Sequence, residues 1–178
     1  MALKRSSEII TISSRVKQDE VNTFEVNQVD LQLNPLDQEV FVVLGVKIDF
    51  LSSLPFTGVF TPGVHTGEAE IAITTTRPAT MPTLAVSNCI AYSNVQTMAG
   101  VSATNELVSF GVLEQGPSDT PDTNLDYLGI IATSDMFLSV NSLNSVYNTD
   151  AAVRVYGYRA RADAATYAAL VQSEVLSN

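Results

Sequence analysis

Residues 23–50 read TFEVNQVDLQLNPLDQEVFVVLGVKIDF, two β-like runs around a turn. Phe24 and Val26 share one parity. Val29, Leu31 and Leu33 share the other, so the change at Gln28 predicts a β-bulge. Asn34-Pro35-Leu36-Asp37 reads as a turn, because proline fixes φ and Asn and Asp favour bends. Residues 39–50 form the second strand. It is apolar on both faces from Val40 to Val46, then alternates through Ile48 and Phe50. The two runs are expected to pair as a hairpin.

The pattern continues on either side. Upstream, residues 8–12 read as a short strand, and the charged stretch 15–20 breaks it. Residues 1–22 are therefore expected to be an arm or edge strand, open to donation to a neighbouring subunit. Downstream, residues 54–67 are a Pro- and Gly-rich loop. Residues 68–76 alternate, with Ala69, Ile71 and Ile73 opposite in parity to Glu70, Ala72 and Thr74. Residues 77–82 and 116–122 are turns. Residues 84–95, 106–113, 125–133, 136–140 and 152–162 are strand candidates, and 141–150 is an Asn/Ser-rich loop. The period then changes. Asp163 is an N-cap, residues 164–170 favour helix, and Tyr167, Leu170, Val171 and Val175 share a face.

About eight strands, long loops and one terminal helix predict an all-β fold. A jelly-roll β-sandwich of antiparallel strands is favoured, with residues 23–162 as the sandwich and 163–178 as the closing helix of a single domain. An immunoglobulin-like sandwich would usually bring a core Trp and paired cysteines. This chain has no Trp and one Cys.

Of the 178 residues only 16% are charged, so neutral polar groups must cover the surface, part of which is suited to contacts between copies. The net charge of −10 excludes nucleic-acid binding through the bulk surface. Lys4 and Arg5 make no basic arm. No secretory signal and no run long enough to span a membrane is seen, so synthesis in a cytoplasm is expected.

Chemistry is sparse. Cys89 lies in an apolar run and reads as a small buried hydrophobe. His65, the sole histidine, reads as a residue exposed or bonded to neighbouring backbone in preference to a general base. Asp119, Asp122 and Asp126 read as a solvated acidic turn, with a calcium site as the alternative. Glu68 and Glu70 share a strand face, where pairing with Lys or Arg on an adjacent strand is one option, and nothing singles them out as a catalytic pair. Arg154, Arg159 and Arg161 hold a third of the positive charge; a subunit contact and intrachain pairing are equal readings, with genome binding last. No phosphate loop, zinc spacing or nucleophile elbow appears. No cofactor and no metal is expected.

Residues 130–140, IIATSDMFLSV, and 153–163, VRVYGYRARAD, together resemble the ending of small coat proteins from tailless icosahedral viruses of bacteria and archaea. The resemblance covers roughly the last fifty residues, through loose motifs. It implies a single jelly roll standing upright in a shell, packed with copies of itself into ring-shaped capsomers; other coat proteins are further candidate partners. The weak basic arm fits a shell lined by an internal membrane better than one touching nucleic acid. Such a protein has interfaces in place of an active site. Arg154, Arg159, Arg161, Tyr167, Leu170 and Val171 are the candidate interface residues, the last three at a subunit boundary or over the sandwich end. The alternative is a carbohydrate-binding or adhesive sandwich, which the lack of Trp disfavours.

Overall fold

A strand apolar on both faces needs cover on both, and residues 40–46 receive it. The computed structural model describes residues 3–51, 61–116 and 126–176. Its elements are β1 (Lys4–Arg5), β2 (Ile10–Lys17), β3 (Glu25–Asp30), β4 (Glu39–Phe50), β5 (Gly63–Thr74), β6 (Cys89–Val101), β7 (Leu107–Gln115), β8 (Gly129–Ile131), β9 (Asp135–Leu143), β10 (Asp150–Arg161) and helix α1 (Ala164–Leu176). Phe41 and Val43 of β4 point into a core shared with Ile71, Ile73, Leu138 and Val153. Val40 and Val42 point the other way, into a second cluster with Ala160, Tyr167, Leu170 and Val171. The terminal helix is the second cover.

The double-sided pattern stops at a bulge. Tyr156 opposes Gly45 and Gly157 opposes Val43, so Leu44 has no opposite residue. Parity then reverses. Val46, Ile48 and Phe50 face the core, while Lys47 and Asp49 are exposed. The bulge expected at Gln28 is absent, since β3 pairs with β9 in unbroken register from Glu25–Val140 to Asp30–Asp135. Val26 and Val29 lie on opposite faces, and Val29 packs on the core.

The hairpin expected from residues 23–50 does not form either. β3 pairs with β9, whereas β4 lies between β10 and β8 in the other sheet. The chain crosses between sheets at Leu31 and Leu33, both buried. Gln32 between them is left-handed at φ 53°, and its N–H donates to Asp30 Oδ1 at 2.7 Å. The turn itself is as expected: Asn34 Oδ1 accepts from Leu36 N–H at 3.1 Å ahead of a short 3₁₀ turn.

One sheet runs β2–β10–β4–β8, with β1 also on β10; the other runs β3–β9–β5–β6–β7. All pairs are antiparallel. Setting aside β1 and β7, successive strands pair off between two four-stranded sheets in the jelly-roll order. Several boundaries differ from expectation. β2 continues through Arg15 to Lys17, β5 already begins at Gly63, and β9 extends to Leu143. Leu84 and Val86 are exposed in a turn before β6.

Asp163 caps α1: Thr166 N–H donates to its Oδ1 at 2.9 Å. Tyr167, Leu170 and Val171 pack on the sheet, but Val175 is 59% exposed and Glu174 is buried in its place. Counting from Tyr167, position 174 is i+7 and lies at the centre of the packed face. A carboxylate is tolerated there because the backbone beyond β8 needs acceptors. Ala132 N–H donates to Glu174 Oε1 at 2.8 Å and Thr133 N–H to Oε2 at 3.0 Å. Burial raises the Glu174 carboxyl above its ordinary range, against the pull of these donors. Glu174→Ala should lower stability by about 2–3 kcal/mol in urea unfolding, since two donors lose their acceptor. An unchanged midpoint would mean that water replaces the carboxylate.

Candidate assembly surfaces

β7 carries the sequence LVSFGVLEQ and, among the described residues, pairs with β6 alone. Its register puts Phe110 and Val112 beside Ala99 and Thr97, on the inner face of the sheet. Leu113 lies beside Gln96 on the outer face, and Val108 is the residue skipped where the register shifts. Phe110 is 48% exposed, Val108 66% and Leu113 62%. Val64 and Met98 extend the exposed apolar surface across β5 and β6. Native edge strands are usually blunted by charge, proline or cover. β7 has one charged residue, Glu114, and no proline. Exposed apolar groups on a strand paired on one side only among the described residues are the kind of surface that contacts use.

The three arginines of β10 are not brought together. Arg154 is exposed, between Ser13 of β2 and Lys47 of β4. Arg159 has the opposite parity; its Nη2 donates to the Leu31 carbonyl at 3.0 Å. Its backbone is also tied, with Ser6 N–H donating to the Arg159 carbonyl at 2.8 Å. Arg161 reaches Asp37 at 3.5 Å. Tyr167, Leu170 and Val171 lie against the outer face of the sheet formed by β10, β4 and β8. The Tyr167 hydroxyl donates to the Ala132 carbonyl at 3.4 Å.

Among the described residues, the other residues singled out in the sequence do not come together. His65 lies on β5, not in a loop, and its Nε2–H donates to the Thr61 carbonyl at 2.8 Å. Cys89 is half-buried, and burial pushes its thiol up to about 11, away from thiolate reactivity. Asp126 is exposed, and Asp119 and Asp122 lie outside the described residues. No group of three metal-ligating side chains occurs among the described residues.

No family model matches the chain. No curated protein matches it either. Among solved structures it is similar to chimpanzee polyomavirus VP1 at TM-score 0.44 and 9% identity, and to the unassembled pentamer of Merkel cell polyomavirus VP1 at 0.42 and 9%. VP1 of trichodysplasia spinulosa-associated polyomavirus follows at 0.41 and 8%. Each match covers 90% of this chain and 99% of the other. All three are polyomavirus proteins, not coat proteins of viruses of bacteria or archaea, the group expected from residues 130–140 and 153–163. At these TM-scores they add nothing to the strand order described above.

The outer face of the second sheet holds a group that the sequence reading missed. Glu68 and Glu70 do not pair with Lys or Arg. Tyr92 Oη donates to Glu70 Oε1 at 2.6 Å, Asn141 Nδ2 to Glu70 Oε2 at 3.1 Å, and Asn94 Nδ2 to Glu68 Oε1 at 2.8 Å. Burial, then the neighbouring Glu70, raises the Glu68 carboxyl. The signal was the β5–β6 register, which sets Tyr92 and Asn94 diagonal to the two carboxylates.

Proposed function

We propose that this chain is a structural coat subunit, a brick of a viral shell that associates with copies of itself through ring-shaped capsomers and performs no catalysis. The observation that carries this reading is β7, which among the described residues pairs on one side only and exposes Val108 and Leu113. The resemblance of residues 130–140 and 153–163 supports a tailless icosahedral virus of bacteria or archaea as the source, with the protein made in the host cytoplasm and located in the virion. The net charge of −10 supports a shell lined by a membrane or by other proteins over one whose subunits grip nucleic acid.

The test is light scattering with negative-stain electron microscopy. The wild type should form rings, sheets or shells. Val108→Lys with Leu113→Lys should shift the mass towards monomer while leaving the circular dichroism spectrum unchanged, because both side chains are exposed. A wild type that stays monomeric across protein concentration, salt and pH would overturn the reading.

A further inference from the structure

The outer faces of the two sheets carry opposite charge. On the β2–β10–β4 face, the alternation of β2 puts Arg15 and Lys17 outward. Register brings Lys47 and Arg154 directly opposite each other beside them. Four of the chain's nine basic residues thus share one face with two acids, Asp49 and Asp150. Asp150 is already engaged, bonded by Arg15 Nε at 2.7 Å. Lys47 and Arg154 have no ion-pair partner among the described residues. Like charges directly opposed across a strand pair are destabilising, and Asp49, diagonal to Arg154 on the same face, forms no ion pair with either. Ala152, small between long neighbours, helps form a cleft of about 140 Å³ bordered by Ser13, Lys47, Asp49 and Arg154.

The opposite outer face is the complement. The same parity argument puts Asp30, Asp135, Glu68 and Glu70 there, on β3, β9 and β5, with no Lys or Arg on the outward positions of its strands. Glu68 and Glu70 are held in place by Asn94, Tyr92 and Asn141. The two faces are on opposite sides of one sandwich, so they cannot satisfy each other within a subunit.

We infer that the Lys47–Arg154 face of one copy seats the Glu68–Glu70 face of the next. The inference rests on the coat-subunit reading and specifies one of its contacts. A contact between two different patches is heterologous: it leaves one face of each kind open until a ring closes. Repeated around a ring, it gives every Lys47–Arg154 pair carboxylates to pair with, where in the isolated subunit neither residue forms an ion pair among the described residues.

The experiment compares two double variants of the full chain by sedimentation velocity at low and high salt. Lys47→Glu with Arg154→Glu makes both faces negative, and Glu68→Lys with Glu70→Lys puts positive charge at the seat of the Lys47–Arg154 pair. Each alone should weaken self-association at least about ten-fold, and high salt should weaken the wild type. Mixing the two should restore association, because each variant then offers the face that the other needs. The neutral pairs Lys47→Gln with Arg154→Gln and Glu68→Gln with Glu70→Gln, checked by thermal melting, separate lost association from lost folding. Wild-type assembly that ignores salt and all four variants would overturn this contact while leaving the coat reading standing. So would loss of binding to anionic vesicles or DNA by the Lys47/Arg154 variant with its assembly intact. A wild type that never associates would remove both.

Discussion

Phe41→Ala should lower the free energy of unfolding by about 3–5 kcal/mol, enough to unfold a marginal domain of this size. Phe41 is fully buried in the core between the sheets. It lies on β4, which is hydrogen-bonded on both edges, opposite Ile131 of β8 and Arg159 of β10. Strands fixed by ladders on both sides cannot slide inward to fill the space a lost ring leaves, so most of the cavity would persist. Phe41→Leu keeps most of the volume and should cost about 1–2 kcal/mol. Urea unfolding followed by far-UV circular dichroism would measure both. A loss below about 1 kcal/mol for the alanine variant would mean that the site collapses freely, contradicting its place on a central strand.

Much of the fold was legible because period is local information. Glu39–Phe50 has the same limits in sequence and structure, as alternation and a preceding Pro turn dictate. The helix cap at Asp163 was legible for the same reason. Pairing was not legible. Residues 23–50 look like a hairpin, and only long-range contacts, β3 with β9 and β4 with β10, send the two runs to different sheets. Nor could the sequence show that Glu174 would replace Val175 on the packed face, since the cause is a pair of backbone donors at Ala132 and Thr133, far away in the chain.

The candidate surface was harder to read, for a reason that β4 and β7 make plain. Both strands are apolar at positions of both parities. In β4 that pattern marks a strand sandwiched between the core and α1. In β7 the same pattern lies at the edge of a sheet and is exposed on both sides. Composition cannot separate a strand buried by its own chain from one awaiting cover by another; position in the sheet does. The arginines failed differently. Proximity in sequence grouped Arg154 with Arg159 and Arg161, but parity sends Arg154 to the opposite face, where its neighbour is Lys47 of β4.

Gly157→Ala should cost about 3 kcal/mol, at the upper end of what overpacking usually does, although it adds one methyl group. The backbone of Gly157 needs no special dihedral; what it needs is space. A Cβ built there would meet the Val42 carbonyl oxygen, and would lie 2.6 Å from Phe41 Cζ and 2.8 Å from Cε1. The ring alone would swing aside, but the carbonyl belongs to β4, so relief requires β4 and β10 to part. They would have to do so beside the bulge where their register already shifts. The two obstacles can be separated by a double-mutant cycle with Phe41→Leu, which removes the ring atoms over Gly157 and leaves the carbonyl in place. The combined loss should fall short of the sum of the single losses by about 1 kcal/mol, the part due to the ring, while a substantial cost from the carbonyl remains. Strict additivity would assign the whole cost to the backbone contact. Complete rescue would mean that the strands yield easily at the bulge and that only the ring forbids a side chain at Gly157.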